Sequence, residues 1–116
     1  MSKNRDLASI IDIYQAGTKI INFAQNLTQE SLVSDEMRLS AILYQILIMG
    51  EATKRLSLEF RQANSHLPWK EIAGIRDKLI HDYDNIKPDV IWDVVNREIP
   101  EFLPQLEELL PKSSSE

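Results

Sequence analysis

Apolar residues recur at helical spacing almost from the start of the chain. Leu7, Ile10, Ile11, Tyr14 and Ile21 form one stripe, and Ile13, Gly17, Ile20 and Ala24 lie beside it. This pattern predicts a first helix from about Arg5 to about Gln25. The next stretch, Asn26 to Ser34, is polar, and Thr28 and Ser34 are both suited to cap a helix start, because a hydroxyl can accept from the free amides of a first turn. Asp35 and Glu36 then put negative charge where a helix dipole favours it. Leu39, Ile42, Ile46, Met49, Thr53, Leu56 and Phe60 keep a spacing of three and four, which predicts one long second helix. Leu43, Leu47 and Gly50 add a second stripe. Between Ala41 and Met49 the helix is apolar nearly all round, so it is buried on more than one side, by its own chain or by a second subunit. Gly50 costs about 1 kcal/mol against alanine in a helix interior, and a close helix–helix approach would account for it.

Pro68 fits the first position of a third helix, with Trp69, Ile72, Ala73, Leu79 and Ile80 inward and Gly74 inside it. Pro88 fits the start of a fourth, with Val90, Ile91, Val94, Val95 and Ile99 inward. Pro100 ends or kinks that helix. Leu103, Leu106, Leu109 and Leu110 predict a last one, with Pro104 in or near its first turn. Strand alternation and hairpin turns are absent. The expected fold is all-α, an antiparallel bundle of four or five helices in one domain over residues 1–111, followed by a flexible Ser-rich tail at 112–116.

Composition narrows the chemistry. The 116 residues hold no cysteine, which excludes disulfides, zinc–thiolate sites and a cysteine nucleophile. A net charge of -5 excludes a global electrostatic grip on nucleic acid, so any such contact needs a local basic patch. Lys54, Arg55, Arg61, Lys70, Arg76 and Lys78 are the one basic cluster, and Lys54, Arg55, Lys70 and Lys78 are candidates to guide a phosphate backbone if they are not simply a solvated face. The N-terminal stretch lacks the apolar core of a secretory signal, and no apolar run approaches the ~20 residues of a membrane span. A cytoplasmic protein is expected. His66 and His81, the two histidines, have no companions at metal-ligand spacing, so neither a metal nor another cofactor is expected.

The concentrated segment is Gly74-Ile75-Arg76-Asp77-Lys78-Leu79-Ile80-His81-Asp82-Tyr83-Asp84. On a continuous helix Asp77 and His81 share a face, and Asp77 could hold the imidazole in one tautomer. Arg76 and Tyr83 would share another. Arg76 and His81 stand about 140° apart, so one chain places them side by side poorly. Two chains about a two-fold axis could bring both pairs into one groove. The bland reading is a histidine that favours the helix dipole and surface ion pairs among the rest.

Gly50-Glu51-Ala52, Leu67-Pro68-Trp69, Gly74-Ile75-Arg76-Asp77, Ile80-His81-Asp82-Tyr83 and Trp92, in that order, resemble the HepT-like HEPN ribonuclease toxins. The resemblance holds best from about Met49 to Leu110. It implies a small all-helical homodimer paired with a minimal nucleotidyltransferase antitoxin. It also implies a metal-independent ribonuclease in which Arg76 and His81 are catalytic, Asp77 is the polar residue after the arginine, and Tyr83 is the position adenylylated by the antitoxin. The family commonly has Asn at the position of Asp77. The implied substrate is RNA, with tRNA favoured over messenger RNA. The rival reading is a non-catalytic HEPN module that dimerises and docks a nucleotidyltransferase.

Overall fold

The computed structural model describes residues 2–111. The expected tail at 112–116 lies outside them. Seven α-helical segments follow one another: α1 (Ser2–Phe23), α2 (Gln29–Ser34), α3 (Glu36–Lys54), α4 (Leu58–Ala63), α5 (Trp69–His81), α6 (Pro88–Asp93) and α7 (Ile99–Glu107). Strands are absent among the described residues, and no helix there is long and apolar enough to cross a membrane. The expected all-α bundle is the fold.

The centre of the bundle is α3, flanked by α1 on one side and α5 on the other. On α1 the buried line is Ile10, Ile13, Ala16 and Ile20, which takes Ile10 from the first stripe, Ile13 and Ile20 from the second and adds Ala16, while Leu7 is exposed. On α3 it is Ile42, Ile46, Met49 and Thr53, as the spacing predicts. Ile91, Val94, Val95, Ile99, Phe102, Leu103 and Leu106 close the core from the C-terminal side. The molecule measures 42 × 35 × 21 Å. Its thin dimension is about two helix diameters. A two-layer slab leaves the central helix a face that its own chain does not cover. Tyr44 and Met37, on α3, are 58% and 83% exposed.

Three expectations change. The long second helix breaks after Lys54 and resumes as α4. Asp6, buried on α1, accepts the backbone N–H of Ser57 at 2.7 Å and its hydroxyl at 2.7 Å. Ser57 in turn caps α4 by accepting from the Phe60 amide. A buried carboxylate that takes a backbone amide competes with the helical ladder for that donor, and here it wins. Nor does the helix end at Pro100, the first of the two outcomes expected there. Residues from Pro88 through Glu107 stay in right-handed helical geometry, with a π-helical turn at Val94–Glu98. Ile99 N–H reaches back five residues to Val94. The wider turn eases the Pro100 ring past the preceding carbonyls. Ile80 and Val90, expected inward, are exposed.

Candidate active site at the junction of α3 and α5

Gly50 decides how α5 lies on α3. A Cβ at this position would fall onto Cβ of Arg76, 2.7 Å from its Cγ and 3.3 Å from the Ile72 carbonyl oxygen. The stem of Arg76 therefore rests on α3 where a side chain is missing, the close approach that an interior glycine predicts. Above it the guanidinium meets carboxylates from both helices. Its Nε donates to Glu51 at 2.8 Å, and Nη2 donates to the same Glu51 oxygen. Nη1 donates to Asp77 at 3.0 Å. Asp77 also accepts from Lys54 Nζ at 2.7 Å. Two cations and two carboxylates thus alternate across the helix pair.

The electrostatics follow from this geometry. Glu51 first, then Asp77, raise the Arg76 guanidinium above its ordinary value by accepting its hydrogen bonds. Lys54 first, then Arg76, hold the Asp77 carboxyl below the ordinary carboxylate range. The hydrogen bonds of Asp77 run to Lys54 and Arg76 rather than to His81. The expected Asp77–His81 pair is not formed, because two cations outcompete an imidazole for one carboxylate.

His81 is the last residue of α5, exposed, with Lys78 beside it in a final turn where positive charge suits the dipole. Along an ideal helix His81 stands about 7.5 Å from Arg76 in rise and about 140° in rotation. Asp82 then leaves helical geometry, and Tyr83–Asn85 form a short 3₁₀ turn. Tyr83 is therefore not on the helical face of Arg76, where an unbroken helix would put it. It is 59% exposed and borders an apolar groove with Leu32, Val33, Leu39, Leu43 and Leu79.

The basic candidates separate in space. Lys54 is committed to Asp77, and Arg55 pairs with Asp12 at 3.3 Å. Lys70 and Lys78 are exposed and hold no ion pair among the described residues. Lys70 shares an open concavity with Arg61 and Gly74 along α4 and α5. Glu51 carries no role of its own among the candidates, yet it organises the cluster. The available signal was an acid directly after the apolar run Ala41 to Gly50, one residue past the glycine that lets α5 approach.

The family model described as ribonuclease HepT-like matches residues 13–109. A relative from Caldanaerobacter subterraneus subsp. tengcongensis, "Putative RNase TTE0752", is 42% identical over 93 residues, covering 80% of this chain and 83% of the relative. "Putative RNase MJ1216" of Methanocaldococcus jannaschii is 33% identical over 110 residues, 95% of this chain and 91% of its own length. "Probable ribonuclease HepT" of Thermococcus cleftensis is 33% identical over 98 residues, covering 84% and 89%. No solved structure matches the chain. With the family model spanning nearly all of the core helices, and relatives of this identity aligned along most of their length, the chain belongs to the ribonuclease HepT-like family.

Proposed function

We propose that this chain is a metal-independent RNA endonuclease, the toxin of a cytoplasmic toxin–antitoxin pair, and that it works as a homodimer. One observation carries the reading. Arg76 is held in place between α3 and α5, while His81 stands free at the solvent end of the same helix. The family and the names of its relatives supply the class of reaction.

RNA carries its own nucleophile. An imidazole takes the proton of the 2′-OH, and the oxygen attacks the adjacent phosphorus. The 5′-oxygen leaves with a proton from a second acid. The products are a 2′,3′-cyclic phosphate and a 5′-hydroxyl, and no water is consumed. Arg76 serves the crowded anionic phosphorane with a permanent charge and a planar fork of donors. At the end of α5 a single chain offers one imidazole, set apart from its arginine. Two chains about a two-fold axis offer a base, an acid and two arginines in one groove. The partly uncovered face of α3 is a surface such a dimer would cover. Lys70 and Lys78, without an ion pair among the described residues, would guide the flanking RNA, Lys54 and Arg55 would do so only by exchanging Asp77 and Asp12 for phosphate, and tRNA would be the preferred substrate. A single domain over residues 1–111 with a flexible tail completes this reading.

Silencing falls to a nucleotidyltransferase that adenylylates Tyr83. The phenol is exposed on a 3₁₀ turn two residues after His81, so an added nucleotide would crowd the imidazole and bring phosphate charge to the groove. The same apolar groove favours a second reading, a docking module without catalysis.

Expression of wild type and His81→Ala without a partner tests the proposal. Growth arrest with RNA fragments ending in cyclic phosphate is expected for wild type alone. General acid–base catalysis contributes about 10²- to 10⁴-fold, so the variant should lose at least the lower figure. Intact RNA and equal growth, with soluble dimer in both strains, would instead support the docking module.

A further inference from the structure

Resting on the ribonuclease reading, we infer that Glu51 is a positioning residue for Arg76, and that Gly50-Glu51 acts as a two-point mount for this arginine.

An arginine side chain has many rotamers, and a catalytic one must present its fork in a single orientation before the substrate arrives. The root of Arg76 is fixed first. Its Cβ and Cγ lie against the bare backbone of Gly50, so the stem has no room to swing toward α3. The tip is fixed next. Nε and Nη2, the side-on fork, both donate to one oxygen of Glu51. Consecutive residues of α3 thus hold both ends of one side chain on α5. The Arg76 side chain is 18% exposed and Glu51 is 42% exposed, so the carboxylate is solvated enough to stay in place without deep burial.

The donor count shows what remains for a substrate. A guanidinium has five N–H donors. Glu51 takes one from Nε and one from Nη2, and Asp77 takes one from Nη1. One N–H on each terminal nitrogen is left for the oxygens of a phosphodiester. Glu51 and Asp77 do not play equal parts. Glu51 belongs to the facing helix and occupies the side-on fork, so it sets direction. Asp77 is the neighbour of Arg76 in sequence and is shared with Lys54, so it can leave Nη1 without unmounting the guanidinium.

The test pairs a spectroscopic readout with kinetics on the dimer, using Glu51→Ala and the nearly isosteric Glu51→Gln. In wild type, the Arg76 Nε–H, identified by its disappearance in Arg76→Lys, should give a ¹⁵N–¹H signal protected from exchange with water. Glu51→Ala should lose that protection, and Glu51→Gln should keep part of it through the remaining amide oxygen. With a labelled RNA substrate, Glu51→Ala should lower kcat by about 10- to 100-fold with little change in KM, and Glu51→Gln should recover part of the loss. Thermal midpoints serve to show that both variants are folded. A protected Nε–H in Glu51→Ala overturns the mount whatever the activity. An unchanged or raised kcat overturns it as well, because Glu51 would then be a bystander or a competitor of phosphate. A wild type that leaves RNA intact defeats the ribonuclease reading, and the exchange measurement still decides whether Glu51 holds Arg76.

Discussion

The two ends of the Arg76–His81 segment are built in opposite ways. At Arg76 the chain is crowded: a glycine removes a side chain, two helices touch, and carboxylates take three donors of one guanidinium. At His81 the helix ends, the side chain is exposed, and the next turn, a 3₁₀ turn, leaves Tyr83 open to solvent. One group is pre-set by its own chain, and the other is left to whatever approaches it. Under the proposed function that contrast would suit an arginine that binds phosphate, which gains from rigidity, and an imidazole that would have to meet a substrate and a second protomer.

The largest effect should come from closing the crowded end. Gly50→Val puts branched carbon where the stem of Arg76 now lies, with the Ile72 carbonyl behind it. Overpacking of this kind typically costs 1–3 kcal/mol, and the rigid neighbours here place the change near the top, at about 3 kcal/mol. Denaturant unfolding measures it. A loss under about 1 kcal/mol would mean that α5 can lift from α3 freely and that the mount is soft.

Arg76→Ala and His81→Ala compared by thermal unfolding draw the contrast directly. Removing Arg76 strands Glu51 and takes away the stem that fills the space over Gly50, so the midpoint should fall. Removing the exposed His81 should leave stability within about 0.5 kcal/mol of wild type. Equal losses would erase the distinction between a mounted and a free end.

Acid should loosen the crowded end and spare the other. The Asp77 carboxyl is held low, by Lys54 first and by Arg76 second. Its contribution is complete above the unfolded value of about 3.9 and is lost as the pH falls through the depressed folded value. Wild type should therefore lose stability on the acid side of about pH 4 more steeply than Asp77→Asn, which has no charge there to lose. Midpoints from pH 7 to pH 2.5 for both proteins check the sign. Parallel curves would assign the acid limb to other carboxylates.

Most of this architecture is readable in the sequence, because helical periodicity reports burial directly. The stripe Ile42, Ile46, Met49 and Thr53 and the role of Gly50 as a contact point are found as the spacing predicts. What is not readable depends on partners far away along the chain. The break after Lys54 is made by Asp6, 51 residues before the amide it captures. The partner of Arg76 is Glu51, 25 residues upstream, and periodicity says nothing of which acid a cation will choose. The end of α5 is not readable from periodicity either. Asp82-Tyr83 continues a plausible helical pattern, and the turn there rests on Asn85 donating to the Asp82 side chain at 2.6 Å and on its backbone N–H reaching the Asp82 carbonyl. Local polar competition of this kind outweighs a weak propensity without marking the sequence strongly.

The smallest effect sharpens the comparison from a third side. Gly74 lies on α5 two residues before Arg76, yet a Cβ built there meets nothing within 4 Å. Two glycines beside the same arginine therefore differ in kind. Gly50 is required by the chain's own packing, whereas Gly74 costs helix stability without any contact in return. Gly74→Ala should raise stability by about 0.4–1 kcal/mol, the usual gain for a glycine replaced at a compatible helical position. No change in the midpoint would mean that α5 is already fully formed in the unfolded reference or that the open face is not open. Cleavage of RNA by the stabilised variant adds a second reading. Activity equal to wild type leaves the face of α5 along Lys70 and Gly74 free of close contact. Better folding with weaker cleavage would place RNA or the second protomer within a methyl group of Gly74, and it would make the bare surface part of the site that the crowded junction orients.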